Sequence, residues 1–148
     1  MPSRVKIYFA HSMEGLSIPD ESGRRGRAAR ELLGPNFNLL LAEEWQNRVE
    51  LNTIEAEDLS QLESAKVILA DLHNIGLKSK DGNNILCLGT NQEIGYAKAK
   101  GKYVVVIGRC PKNMHPFHVP KSAGGQFVDY YTVSLEDACN HIRSMYVP

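Results

Sequence analysis

Glu93 stands in the stretch from Gly89 to Gly101, GTNQEIGYAKAKG, where a long polar loop gives way to a helical pattern. A carboxylate in the first turn of a helix suits a catalytic acid or a nucleophile. The same spacing also forms a capping box, in which Thr90 accepts from the backbone N–H of Glu93 and Glu93 bonds back to Thr90. A second carboxylate, Asp58, falls in a helical pattern from about Thr53 to Ala65, with Ile54, Asp58 and Leu62 four apart on one face. A charge within an apolar stripe requires a partner, a shifted pKa or a cavity, unless it sits at the rim and reaches solvent. Asp71 ends the third apolar run, and Tyr8 lies near the end of the first, with His11 and Ser12 just beyond. Together these groups could line one crevice with Glu93. Taken singly, a strand-end Asp bonds loop amides and an inward Tyr packs in the core.

The elements that must hold these residues alternate. Short apolar, β-branched runs occur at VKIYFA (5 to 10), NLLLA (38 to 42), KVILADL (66 to 72), YVVVIG (103 to 108) and, more weakly, FVDYY (127 to 131). Between them come a polar, Arg-rich segment (about 21 to 33) closed by Gly34-Pro35, a helix near 51 to 65, the helix opening at Thr90, and SLEDACNHIRSMY. Ser134 followed by Glu136 and Asp137 marks a helix start with first-turn acids. Five strands and four helices in alternation predict an α/β fold over residues 1–148: a single-domain, doubly wound, five-stranded parallel sheet of flavodoxin-like or Rossmann-like type. The two long loops, 11 to 20 and 72 to 89, follow carboxyl ends of strands, where ligands bind in such sheets.

Seventeen basic and seventeen acidic residues cancel, so no general basic field exists to hold a nucleic-acid polymer or a membrane surface. Cys87, Cys110 and Cys139 are odd in number and lack metal-ligand spacing, which points to a reducing, cytoplasmic setting. No apolar run reaches signal-peptide or membrane-span length. His115-Pro-Phe-His118 lies in a Pro-, Gly- and Lys-rich loop, 109 to 125, without a third ligand, so no metal is assigned. No GxGxxG follows the first strand, and no cofactor is expected.

Tyr8 in IYFAHS, Asp58 in EDLSQLESA, the KVILADL strand and the GTNQEIGYAKAKGKYVVV block, in this order, resemble the nucleoside 2-deoxyribosyltransferases and the related nucleoside 5'-monophosphate N-glycosidases. The resemblance covers most of residues 5 to 108. It implies a small-molecule nucleoside or nucleotide and a nucleobase as substrates. It further implies that Glu93 attacks the anomeric carbon, that Asp58 protonates the leaving base, helped by a raised pKa, and that Tyr8 orients the nucleophile. A homodimer or higher homo-oligomer with sites shared between subunits is also implied; Met114, His115 or the segment near Asp129 and Tyr130 are the places from which a neighbour would reach in.

Transferases of this type carry an acid six residues before the nucleophile, and the monophosphate hydrolases often carry a serine; this chain has Cys87. Asp81, Asn83 or Asn84, from the loop KSKDGNNIL, could fold back in its place. Ser12 matches a phosphate-contacting serine of the hydrolases, and a helix N-terminus nearby would favour an anion. Arg24, Arg25, Arg27 and Arg30 could add positive charge, or could form a solvated helix face balanced by Glu21 and Glu31. His11, Asp71, Gly89, Thr90 and Cys87 complete the expected substrate-binding set. The chemistry therefore divides between sugar transfer to a second base and release of free base from a nucleoside monophosphate. A third reading is a nucleotide-binding or signalling module with Glu93 as a cap only. Receiver-type modules need an acidic pair after the first strand, which Ala10-His11-Ser12 does not provide. The cytokinin-activating phosphoribohydrolases need a Pro-Gly-Gly run where this chain has Asn84 to Leu88.

Overall fold

Each apolar run becomes a strand of one parallel sheet. A computed structural model describes residues 4–11, 21–46, 50, 53–78, 81–109 and 118–146. The elements are β1 (Val5–His11), α1 (Glu21–Leu33), β2 (Phe37–Leu41), α2 (Glu43–Gln46), α3 (Ile54–Ser64), β3 (Val67–Asp71), α4 (Leu88–Ala99), β4 (Tyr103–Ile107), β5 (Tyr130–Thr132) and α5 (Leu135–Met145). The sheet order is β2-β1-β3-β4-β5, with every neighbouring pair parallel. This is the flavodoxin-like order, and its direction reverses between β1 and β3. The fifth strand begins three residues later than FVDYY implied and spans three residues; Val128 instead makes an isolated bridge to Pro120.

Central strands are apolar throughout because both faces are covered. On one face Tyr8, Ala10, Ile68, Ala70, Val104 and Val106 pack with Leu62 of α3 and with Ile94 and Ala97 of α4. On the other, Ile7, Phe9, Val67, Leu69, Val105 and Ile107 pack with Ala29 and Leu33 of α1 and with Ala138, Cys139 and Ile142 of α5. The period of two along each strand decides which helices a side chain meets. Gly34 closes α1 at φ +84°, its N–H returning to Arg30 O, a backbone region that favours glycine. Ser134 caps α5, accepting from Asp137 N at 3.1 Å.

The 72 to 89 loop is a folded arm. Gly76 N donates to Ile85 O, Ile85 N donates to Leu77 O, and Lys78 and Asn84 form an antiparallel bridge. Ile85 and Cys87 are thereby drawn into the core beneath α4. Among the described residues, no helix is long and apolar enough to cross a membrane.

Candidate active site

Tyr8 enters from β1, the strand at which the sheet order reverses, and its hydroxyl donates to Glu93 Oε2 in a short hydrogen bond. Glu93 is on the second turn of α4, because the helix starts at Leu88 rather than Thr90. The capping box is therefore not formed. Cys87 occupies the N-cap position with φ 54° and ψ 44°, a left-handed backbone uncommon outside glycine, and makes no side-chain cap bond. Thr90, 2% exposed, faces the core, and its Oγ1 has no hydrogen-bond partner among the described residues.

Asp58 projects from α3 towards the same place. Its Oδ1 accepts from Trp45 Nε1 of α2 at 2.7 Å, and the Trp45 and Tyr8 ring centroids are 6.0 Å apart. Ile54, Glu55, Asp58 and Leu59 of α3 and Gly89, Gln92 and Glu93 of α4 line a cavity of about 350 Å³. That volume lies in the range of small-molecule sites, and mixed apolar and acidic walls suit a flat, polar ligand.

The electrostatics follow from burial with no cation acting on Glu93 among the described residues. Desolvation raises the Glu93 carboxyl to about 7; the bond from Tyr8 opposes the rise and the neighbouring Asp58 charge adds to it. Desolvation likewise raises the Tyr8 hydroxyl far above its ordinary value, reinforced by Glu93 and by Asp58, so Tyr8 remains a donor. A carboxylate poised near neutrality beside a fixed donor, with a second carboxylate across a cavity, can exchange protons or attack an electrophilic carbon.

Two expected site residues point elsewhere. Asp71, 1% exposed, pairs with Arg25 of α1 through two bonds, one from Nη2 to Oδ1 at 3.1 Å, and lies 2.9 Å from His73 Nδ1. His11 is in register with Asp71, and its ring lies 5.3 Å from that of Phe9, on the α1/α5 face. Odd numbering along both strands puts these groups on the far side of the sheet from Tyr8, and neither lines the cavity. The Arg-rich helix does not form a phosphate clamp through Arg25 or Arg30: Arg25 serves Asp71, and Arg30 bonds Glu44 and Leu39 O.

Gly89 lines the cavity, as expected. Cys87 is buried, its thiol donating to Asn74 Oδ1 at 3.5 Å. Ser12, Met114 and His115 lie outside the described residues. Asp129 accepts from Val104 N and pairs with Lys121, while Tyr130 donates to Asp137 and stacks on His141, so both are engaged within the chain. Trp45 escaped the sequence analysis. Its signal was position: it follows the carboxyl end of β2, the strand beside β1, at the edge where ligands bind.

Fold and site together define a flavodoxin-like domain bearing a Tyr–Glu pair and a Trp–Asp pair at the sheet's reversal point. No family model matches the chain, and no curated protein does. Among solved structures, it is similar to a 2-deoxyribosyltransferase from Leishmania mexicana, with 18% identity, a TM-score of 0.65, and 97% of this chain and 99% of that chain covered. A 2-deoxyribosyltransferase from Bacillus psychrosaccharolyticus aligns at 18% identity and a TM-score of 0.62, over 92% and 91% of the two chains. A CMP N-glycosidase from Clostridium botulinum aligns at 13% identity and a TM-score of 0.58, over 96% and 99%. At these identities the likeness establishes the fold.

Proposed function

We propose that the chain cleaves the N-glycosidic bond of (deoxy)nucleosides through a covalent glycosyl-Glu93 intermediate and transfers the sugar to another nucleobase. The observation that carries this reading is the Tyr8–Glu93 hydrogen bond at the wall of a cavity that Asp58 also lines. The likeness to two 2-deoxyribosyltransferases supports it.

Glu93 Oε attacks the anomeric carbon while the C–N bond breaks, its electron pair passing to the base nitrogen, which takes a proton from Asp58. The sugar is then an ester of Glu93. A nitrogen of the second base attacks the same carbon, Glu93 departs as a carboxylate, and Asp58 recovers a proton. Tyr8 holds Glu93 in line and stabilises its charge. Glu55 and Gln92 place polar edges where a base would lie between Ile54 and Leu59.

A second reading, hydrolysis of a nucleoside 5'-monophosphate to base and sugar phosphate, draws on the likeness to the CMP N-glycosidase and on the neutral Cys87 where the transferases carry an acid. Water then replaces the second base. Leu86 and Leu88 expose 55% and 60% of their surface on either side of the α4 N-cap, which supports a homo-oligomer with a neighbouring subunit. Cys87 and Cys139 are buried thiols outside any disulfide among the described residues, which fits a reducing cytoplasm.

Incubation with a deoxynucleoside or its 5'-monophosphate, with and without a second free base, separates the outcomes. New nucleoside indicates transfer, whereas sugar phosphate plus free base indicates hydrolysis. Neither product across the common bases would sink both readings. Mass spectrometry of the intact protein is expected to find a sugar adduct on Glu93.

A further inference from the structure

Trp45 is the single tryptophan of the chain, is 9% exposed, and sits on the four-residue helix α2. Its indole N–H meets Asp58 Oδ1 at 2.7 Å, and its ring packs in the same cluster as Tyr8. An indole nitrogen is a donor only. It cannot reverse its role to accept from a protonated carboxyl, so the oxygen it meets is held as an acceptor in either charge state of Asp58.

We infer that Trp45 is a positioning residue for the leaving-group step: it assigns the transferable proton of Asp58 to Oδ2 and fixes the plane in which that proton is delivered. The inference rests on the glycosyl-transfer reading above. As the C–N bond breaks, the proton leaves Oδ2 for the base nitrogen and negative charge spreads over the Asp58 carboxylate. The N–H bond at Oδ1 then becomes charge-assisted and strengthens. An interaction that strengthens as the reaction proceeds lowers the barrier and leaves ground-state binding little changed. Without it Oδ1 loses the donor that holds it as an acceptor.

The consequence is selective. A base that departs unaided by a proton does not need Trp45. A 2'-deoxynucleoside of a neutral base does, whereas 7-methyl-2'-deoxyguanosine, whose base is already cationic, does not. Trp45→Phe keeps the ring and removes the donor. It is expected to lower kcat on the neutral substrate by about 10-fold or more, with KM little changed, and to change kcat on the cationic substrate by less than about 3-fold. Equal loss on both substrates, or loss on neither, would overturn the inference. Glu93→Ala is expected to be inactive on both.

A second measurement stands apart from turnover and from the folding of the Phe variant. One tryptophan produces one indole N–H cross-peak in a 15N-labelled sample of the full chain. That peak is expected downfield and protected from exchange in the wild type, and upfield and less protected in Asp58→Ala. A peak unmoved by the substitution overturns the assignment of Trp45. Wild-type inactivity on both nucleosides, with the peak behaving as expected, would instead remove the glycosyl-transfer reading, and with it the catalytic role of Trp45, while leaving its contact with Asp58 intact.

Discussion

The two faces of the sheet each bury a carboxylate at the carboxyl edge, and they treat it in opposite ways. Asp71, on the α1/α5 face, loses its hydration, which alone would raise its pKa. Bonds from His73 and Arg25, and the Arg25 charge, reverse the sign and hold it below the ordinary carboxylate value. Glu93, on the α3/α4 face, meets a neutral tyrosine and a second acid, and burial raises it to about 7. One carboxylate is compensated by Arg25 and His73; the other meets no cation among the described residues and opens onto a cavity. Uncompensated burial costs stability, and it is at functional sites that such costs are concentrated.

Glu93→Gln tests the contrast most severely. Under the proposed reaction it should reduce turnover by roughly 10⁴-fold or more, measured as product formed per folded enzyme. Its stability should move the other way. Because the folded pKa of Glu93 lies above its ordinary 4.5, folding is favoured by protonation, fully below about 4.5, and that contribution disappears as pH rises through about 7. The Gln variant does not ionise, so at pH 8 it should be more stable by up to about 3 kcal/mol in urea unfolding. A rising limb in wild-type activity should fall in this window, as Glu93 becomes the charged nucleophile. A profile with no rising limb would contradict this assignment.

Asp71→Asn is the mirror experiment. It strands the Arg25 charge and should cost about 2–3 kcal/mol, reduced from the usual buried-pair value because the Arg25 side chain is 27% exposed. Turnover by the remaining folded protein should change by less than about 3-fold, since Asp71 does not line the cavity. Its lowered pKa also sets the sign in acid: the stabilisation is present above the ordinary value of 3.8 and is lost as pH falls below it. Activity lost along with stability would show that the two faces are coupled.

Tyr8→Phe removes the donor that restrains Glu93. A loss of about 10-fold in kcat is expected, and the rising limb of the pH profile should move to higher pH, because the bond that lowers Glu93 is gone. An unmoved limb would mean that Tyr8 acts by packing alone. The smallest effect should come from Ser134→Ala, which removes the cap of α5 on the face opposite the cavity. It should cost about 1 kcal/mol in thermal or urea unfolding and leave kcat unchanged.

Tyr8, Asp58 and Glu93 were visible before any coordinates, because a strand end, an apolar helix stripe and a loop-to-helix junction are local patterns; in the structure Asp58 and Glu93 line one cavity and Tyr8 bonds Glu93 at its wall. Asp71 and His11 were equally visible at strand ends, yet they belong to the opposite face. A strand end fixes the height of a residue in the sheet but not the helices it meets; that depends on register and on which crossovers cover each side. Thr90 and Glu93 have capping-box spacing, but the helix begins at Leu88, because the chain enters it through the left-handed backbone of Cys87 from a folded arm bonded elsewhere. Trp45 could not be assigned to Asp58 from 13 residues away, since no helical or strand period joins the two elements.

Tyr8, Asp58 and Glu93 were thus singled out together only through the resemblance of their motifs, whereas periodicity and alternation were sufficient for a parallel α/β sheet, because burial of alternating and helical stripes is a short-range constraint written in residue order. Partnership and charge state were not. Whether a buried carboxylate meets Arg25, Tyr8 or Trp45, and so whether its pKa falls or rises, depends on distances of a few ångströms between elements remote in sequence, and those arise only when the sheet closes its two faces.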